Sequence, residues 1–261
     1  MLKSLNTAAT GMAAQQTNMD VIANNIANVS TNGFKRSRAE FEDLMYQTQK
    51  EPGTATGMNS YSPNGVQTGL GVRTAAIQKD FAGGNAQVTK NPLDMQIEGS
   101  GFFQVLTPDG QLAYTRDGAF KKDPQGRLVD KNANLLQPEI VVPPDVAGIE
   151  VSPNGEVRVI QGLNDAPQTI GQIDLANFVN PAGLKALGKN LFSQTPSSGQ
   201  PIQARPGLNG TGYLAQGQLE ASNVNIVDEM VNMITSQRAY ETNSKVIQAS
   251  DQMLQSINNL R

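Results

Sequence analysis

Carboxylates are the side chains of this sequence that could perform acid–base chemistry, because its 261 residues include no histidine and no cysteine. Catalysis requires a paired acid and base or an activated nucleophile. Four aspartates lie at or beside predicted turns: Asp109, Asp117, Asp123 and Asp130. Aspartate is common in turns because its carboxylate accepts hydrogen bonds from nearby backbone amides. We therefore expect structural roles for these residues and predict no catalytic residue and no enzymatic activity.

The sequence also lacks the patterns of common cofactor and metal sites. Without cysteine, neither disulfides nor thiolate metal sites can form. The glycine pairs at 69/71 and 99/101 do not extend to a dinucleotide-binding fingerprint. No acidic residues have the regular spacing of a calcium-binding loop. We predict no cofactor and no metal.

Charge and hydropathy restrict the partners of the chain. The net charge is −3, whereas nucleic-acid binding needs a basic face. The one tight basic cluster is Lys35, Arg36 and Arg38, which we interpret as a solvated loop or an interface patch. No apolar run approaches the roughly 18 residues of a membrane span. We predict no nucleic-acid partner and no direct membrane insertion.

The first residues, 1–16, contain no continuous apolar core, so no secretory signal is expected. This pattern is compatible with a cytoplasmic protein. It is equally compatible with export by a route that uses no cleaved signal.

Helix-breaking residues are confined to the middle of the chain, which predicts its architecture. All 14 prolines lie within 52–206, and 23 of the 25 glycines lie within 53–217. Both ends show apolar residues every seven positions, which is typical of long packed helices. We predict an α+β fold, in which the N- and C-terminal helices pair as a discontinuous coiled-coil domain around an inserted antiparallel all-β region.

The apolar heptad rows are the candidate subunit-packing residues. Residues 1–33 carry two charged side chains and eight Asn or Gln, fewer charges than a helix facing water normally has. We therefore expect these helices to contact other protein on several sides. The candidates are Leu5, Met12, Met19, Ile22, Ile26, Val29, Ile226, Met230, Met233, Tyr240, Ile247 and Leu254.

Three turn sequences predict β-hairpins in the middle region. Each contains proline and then glycine two residues later, starting at Pro108, Pro124 and Pro153, between strand-like segments. We predict a terminal helical domain of 1–33 with 222–261 and a β domain of 96–190. A connecting region of 34–95 with 191–221 would join them and include an extended stretch, 47–71.

Both ends of the chain resemble the signatures of bacterial flagellar rod and hook subunits. The amino-terminal signature matches at Asn25, Ala27, Asn28, Thr31, Gly33, Phe34 and Lys35. The carboxyl-terminal signature matches at Gln237, Arg238, Ala239, Tyr240 and Asn243. The likeness continues through 101–103 and 114–118, and it covers almost the whole chain, least clearly from 140 to 187. The stretch 41–65 resembles a segment that marks distal rod subunits.

This resemblance implies a structural subunit of the distal flagellar rod, polymerising helically into a rigid hollow shaft that transmits torque from the motor to the hook. The implied partners are further copies of the chain, proximal rod subunits, hook subunits, the peptidoglycan and outer-membrane bushing rings, and the flagellar export apparatus. The implied location is the basal body, in the periplasm and reaching the outer membrane, after export without a cleaved signal peptide.

Other functions stay open at this point. Within the same axial structure, the alternatives are a larger proximal rod subunit or a hook-type subunit. From other classes, the turn aspartates would suit an enzyme acting on cell-wall glycan, and the β region would suit a soluble binding module. No aromatic or charged cluster in the sequence marks a ligand pocket.

Overall fold

The computed structural model describes residues 2–52, 55–57, 60–61, 64–161 and 166–259. It has one helix near each end, α1 (Leu2–Ala27) and α2 (Ile226–Asn259), and a short 3-10 helix at Pro181–Gly183. The residues between α1 and α2 are mostly antiparallel strands. The predicted α+β class is confirmed. Coiled-coil pairing of the helices stays a prediction.

The strands follow in chain order, and most are short. They are β1 (Ser37–Asp43), β2 (Tyr46–Lys50), β3 (Ala55–Gly57), β4 (Ser60–Tyr61), β5 (Val66–Gly69), β6 (Val72–Lys79), β7 (Ala86–Val88), β8 (Met95–Glu98), β9 (Phe102–Leu106), β10 (Leu112–Thr115), β11 (Lys121–Lys122), β12 (Leu128–Val129), β13 (Leu135–Gln137), β14 (Gly148–Val151), β15 (Glu156–Ile160), β16 (Gln168–Gln172), β17 (Leu175–Asn177), β18 (Lys185–Gly188), β19 (Leu191–Ser193), β20 (Ile202–Ala204), β21 (Tyr213–Gln216) and β22 (Gln218–Glu220).

By its internal contacts the chain divides into two compact units. The first consists of Met1–Ala27, Ser37–Lys79 and Asn225–Arg261, and the second of Asn28–Arg36 and Asp80–Val224. The chain therefore enters each unit more than once. The three-part division expected from the sequence stays a prediction.

The first unit contains the two helices and a long β-hairpin. Strands β1 and β6 pair antiparallel from Ser37↔Lys79 to Asp43↔Val72, and β2 pairs with β5 beyond them. The described parts of the stretch 47–71 thus include paired strands, while residues 53–54, 58–59 and 62–63 of it lie outside the described residues. The α2 helix begins after Asn225, whose side-chain oxygen accepts from the Val227 amide at 3.1 Å.

The second unit is built around a nine-stranded sheet with strands in the order β11-β12-β13-β9-β10-β19-β18, and β17 and β20 continue it beside β9. Strand β9 is buried on both faces, since alternate residues point to opposite sides. Phe103 and Val105 belong to the main aliphatic core. Phe102 belongs to a second, aromatic core with Tyr114 and Phe178, in which the rings meet edge to face.

All three predicted hairpins are present. Strand β9 pairs with β10, β11 with β12, and β14 with β15, each antiparallel. The glycine that closes each turn, Gly110, Gly126 or Gly155, has φ between +75° and +86°. Glycine adopts this left-handed conformation without the steric penalty that a Cβ brings. Local turn chemistry was therefore sufficient to place these strands.

Candidate subunit-packing site

Polar and small residues of α1 and α2 meet within one chain at seven-residue intervals. The Asn18 amide donates to the Ser236 hydroxyl at 2.8 Å, and the Asn25 amide donates to a Glu229 carboxylate oxygen at 3.3 Å. Seven residues before Asn18, a Cβ on Gly11 would lie 2.9 Å from the Asn243 side-chain nitrogen. As residue numbers rise along α1 they fall along α2, so the helices are antiparallel.

The predicted apolar rows are buried to different extents in the single chain. In α1, Ile22 is buried, and the others are half-buried: Leu5, Met12, Met19 and Ile26, with Val29 just beyond the helix. In α2, Met233, Ile247 and Leu254 are half-buried, whereas Ile226, Met230 and Tyr240 are exposed. One chain therefore leaves much of its candidate packing surface open. Contact of these residues with other copies stays a prediction.

In the first unit, Asn25 of the amino-terminal signature fixes the start of β1. Its side-chain amide donates to the Ser37 carbonyl at 2.8 Å, and its side-chain oxygen accepts from the Ser37 amide at 2.9 Å. The Asn25 side chain is buried. A two-way bond of this kind needs a side chain that both donates and accepts, as a carboxamide does and a carboxylate or an ammonium group cannot. The signature asparagine thus has a defined structural role.

In the second unit, Lys35 of the same signature is fully buried in an ion cluster. Its ammonium lies 2.6 Å from Glu220 Oε1 and donates to the Ala82 carbonyl at 2.7 Å. The other Glu220 oxygen lies 3.5 Å from the Arg116 guanidinium, which also donates to the Gly99 carbonyl at 2.7 Å. The exposed fractions of the three side chains are 0%, 1% and 3% for Lys35, Glu220 and Arg116.

Burial dominates the electrostatics of this cluster. Loss of hydration lowers the pKa of Lys35, and the Glu220 carboxylate opposes that shift. Burial likewise lowers the pKa of Arg116, again against the attraction of Glu220. The Arg116 guanidinium also lies over the Phe102 ring, 5.4 Å from its centroid. One carboxylate therefore compensates two desolvated cations, and it is the residue whose loss should be most damaging.

The interpretation of Lys35 as part of a solvated or interface patch is wrong. Lys35 lies in the interior, and of the three basic residues only Arg38 is exposed, where it pairs with Glu40 at 2.9 Å. The Arg36 backbone amide donates to the Asn223 side chain at 2.7 Å. A charge cluster in sequence does not reveal which of its members has a buried counter-ion, and that partner is 185 residues away.

The rest of the amino-terminal signature forms a compact turn. The Thr31 and Phe34 amides donate to the carbonyls of Asn28 and Thr31, at 3.1 and 3.2 Å. The Gly33 amide donates to the Glu220 carbonyl at 2.8 Å, beside the ion cluster. Phe34 is buried, whereas Ala27, the last residue of α1, is exposed.

The carboxyl-terminal signature faces mostly outward. Gln237, Arg238 and Tyr240 are exposed, Ala239 is half-buried, and Asn243 lies against Gly11 of α1. The structure thus brings Asn243 to the interhelix contact and leaves the exposed signature residues on the surface of α2.

Sequence reasoning missed three residues that hold the second unit together: Arg116, Glu220 and Asn223. Arg116 lies inside the matched stretch 114–118, so its motif could have drawn attention to it. Glu220 and Asn223 follow no spacing rule. Asn223 donates to the Asp80 and Ala82 carbonyls at 2.9 and 3.2 Å, and this role depends entirely on distant chain segments.

Three of the four turn aspartates have structural partners. Asp123 and Asp130 accept backbone amides within their own turns, and Asp117 is ion-paired to Lys131 at 2.6 Å. Within the described ranges, no three Asp or Glu side chains are grouped to hold a metal ion. Over the residues that the structure describes, neither helix has a stretch long and apolar enough to cross a membrane.

Family comparisons define the class of protein. Residues 5–35 match the model of the flagella basal body rod protein, and residues 215–260 match that of the flagellar basal body rod FlgEFG protein C-terminal. Residues 96–159 match the flagellar hook protein FlgE/F/G D1 domain. The first two matches contain the terminal signatures, and the third contains β9 and β10. The chain is thus one of the axial proteins of the bacterial flagellum.

Full-length relatives narrow this assignment. The chain is 52% identical to the flagellar basal-body rod protein FlgG of Buchnera aphidicola subsp. Schizaphis graminum, with all of both chains covered. It is 50% identical to FlgG of Borreliella burgdorferi, over 100% of this chain and 99% of the relative, and 40% identical to FlgG of Bacillus subtilis over all of both chains. The chain belongs to the FlgG family of flagellar basal-body rod proteins, which confirms the resemblance found in its signatures.

The ion cluster makes a prediction about Glu220. Glu220→Gln would leave Lys35 and Arg116 buried without a counter-charge, so we expect it to lower the free energy of unfolding by about 3–5 kcal/mol. The measurement is urea unfolding of the purified chain. Glu150→Gln, at an exposed position in β14, is the matched control and should change stability by less than about 0.5 kcal/mol. Equal effects of the two variants would contradict the role of the cluster.

Gly33 makes a second prediction. Gly33 has φ +68°, and a Cβ there would lie 2.7 Å from the Asp117 nitrogen and 2.8 Å from the Arg116 carbonyl carbon. Gly110 has φ +75° with open space around it. Gly110→Ala should cost about 1–2 kcal/mol from backbone strain alone. Gly33→Ala should cost about 1–3 kcal/mol more from overpacking. The same unfolding assay compares them, and equal losses would refute the close approach.

Proposed function

We propose that this chain is a distal rod subunit that polymerises helically into a rigid, hollow drive shaft and transmits torque from the motor to the hook. The observation that carries the proposal is the open apolar surface of α2 in a member of a rod family. Five large apolar side chains at its start, Ile226, Val227, Met230, Val231 and Ile234, are 45–68% exposed. Contiguous exposed apolar surface of this kind is typical of protein–protein contact sites.

Polymerisation would complete the burial that the single chain leaves unfinished. Removing apolar surface from water contributes about 25 cal/mol per Å². Within a chain, the hydrogen bonds between α1 and α2 are made by Asn18 with Ser236 and by Asn25 with Glu229. The half-buried methionine and isoleucine rows would then pack in a coiled-coil manner against helices of neighbouring copies. In this arrangement the terminal helices line the inner tube.

The proposed partners follow from the position of such a shaft. They are further copies of this chain, proximal rod subunits below, hook subunits above, the peptidoglycan and outer-membrane bushing rings around it, and the export apparatus that delivers it. The location would be the periplasm, reaching the outer membrane, after export without a cleaved signal peptide. A larger proximal rod subunit or a hook-type subunit is the alternative, since one matching family model spans the hook protein as well.

A charge inserted into a half-buried apolar row should block assembly. We expect Met233→Asp or Ile26→Asp to abolish shaft formation and motility, because the contact would bury an unpaired carboxylate. Shafts are counted by electron microscopy and pelleting, and motility is scored in soft agar. Gln252→Asp places the same charge at an exposed polar position of α2 and should assemble normally. Normal motility of the Met233 and Ile26 variants would count against the packing role.

Amide exchange should differ between the free and the assembled chain. Ordering each residue costs about 1–2 kcal/mol in backbone entropy, so helices without neighbours should open readily. We expect weak protection of residues 5–26 in dilute monomer and strong protection in shafts, measured by hydrogen–deuterium exchange. Residues 102–106 in the core strand β9 provide the internal control and should be protected in both. Strong protection of 5–26 in the monomer would contradict the proposal.

A further inference from the structure

The exposed apolar face of α2 points away from α1. The face consists of Ile226, Val227, Met230, Val231 and Ile234. At 3.6 residues per turn, its centre lies about 140° around the helix from Glu229 and Ser236, which contact α1. This side of the helix is apolar up to Ile234 and then becomes charged at Arg238. We call residues 226, 227, 230, 231, 234 and 238 the outward face of α2. Within the chain, α1 covers the opposite side.

The outward face of α1 is different in character. The exposed residues opposite its α2 contacts are Ala9, Ala13, Gln16, Asp20, Ala23 and Ala27. They include four alanines and one charge, Asp20. Alanines leave space for large side chains to approach the helix backbone closely. Asp20 and Arg238 are both exposed, and neither forms an ion pair with any residue that the structure describes.

We propose that the outward face of α2 in one copy binds the outward face of α1 in a second copy of this chain. The helices run antiparallel, with Arg238 beside Asp20, Ile234 beside Ala23 and Asn24, and Val231 beside Ala27. This assignment rests on the proposed homopolymer and specifies which surfaces form its contact.

Charge and register together carry the assignment. With Asp20 opposite Arg238, antiparallel helices place Ile234 and Val231 beside the last turns of α1, at Ala23 and Ala27, while Met230, Val227 and Ile226 lie beyond the end of α1. Within a chain the alignment is Asn18 with Ser236. The contact between copies is therefore displaced by four residues, or about 6 Å along the helix. The β-branched side chains of Ile234 and Val231 would fill the space that Ala23 and Ala27 leave.

Symmetry explains why such a contact would propagate. The two outward faces are different surfaces on opposite sides of one helix pair, so each bound copy still has one free face. Contacts of this heterologous kind produce open helical polymers rather than closed dimers. A screw axis also keeps each helix of one copy parallel to the same helix of the next copy when the helices lie along the axis. Helices lying along the axis would therefore meet antiparallel between copies, as they do within one copy.

Disulfide cross-linking tests the contact directly, since the chain contains no native cysteine. Purified full-length Ala27→Cys and Val231→Cys chains, one of them carrying a mass tag, are mixed, assembled and treated with a mild oxidant. We expect mixed dimers in the mixture, because facing positions fall within disulfide range. Gln252→Cys replaces Val231→Cys in the control. It lies about 30 Å further along α2 and should give at least tenfold less mixed dimer.

Three results would overturn the assignment. The first is shafts that form from the mixture without the mixed disulfide. The second is efficient dimerisation of Val231→Cys alone, which would place two α2 faces back to back. The third is cross-linking, in isolated basal bodies, only to a protein of different mass. Failure of the unmodified chain to form any shaft would instead refute the proposed function, so the two failures are distinguishable.

A charge swap provides a second, independent readout. Asp20→Arg and Arg238→Asp, each alone, should raise the critical concentration for assembly about fivefold, the effect of roughly 1 kcal/mol at a surface ion pair. The double variant should recover most of this loss, because the pair is restored with reversed polarity. If the critical concentration of the double variant rises by the product of the two single increases, Asp20 and Arg238 do not meet.

Discussion

The second unit depends on one carboxylate that has no access to water. Glu220 binds Lys35 from the segment that follows α1 and Arg116 from the end of β10, and it accepts the Gly84 amide at 2.9 Å. Buried charges are tolerated only when they are paired and hydrogen-bonded. The cluster therefore specifies a single arrangement of segments that are far apart in the chain. It explains why a lysine in the amino-terminal signature is a structural residue.

In α2, polar side chains that bond to α1 lie on one side of the helix, and large apolar side chains are exposed on the other. The mutual contact of the two helices includes asparagine, serine and glycine, while large apolar side chains of α2 are exposed. For a protein that functions alone, this arrangement would place apolar surface in water at a cost in free energy. For a subunit of a rod, it leaves the most strongly associating surface available for the next copy. The low charge of α1 has the same consequence, because few charges need to be desolvated on assembly.

Features that depend on residues close together in the sequence could be predicted, whereas features that depend on distant residues could not. The hairpins around Gly110, Gly126 and Gly155 were predictable because proline and glycine restrict φ within four residues. The Asn225 side chain caps α2 through a hydrogen bond two residues away, which is also a local effect. The stretch 47–71 was expected to be extended, but its described part includes the paired strands β2 and β5. The Lys35–Glu220 pair spans 185 residues and could not be predicted.

The sequence alone determined that both ends are helical, that the middle is β, and that the terminal signatures belong to flagellar axial proteins. These properties depend on the positions of helix breakers, on seven-residue periodicity and on local motifs. Tertiary structure decided which side of each helix contacts the other, because periodicity relates residues on one helix without specifying its partner. It also decided that Lys35 is buried while Arg38 is exposed. Burial depends on where a distant counter-ion lies, and only the folded chain brings Glu220 to Lys35.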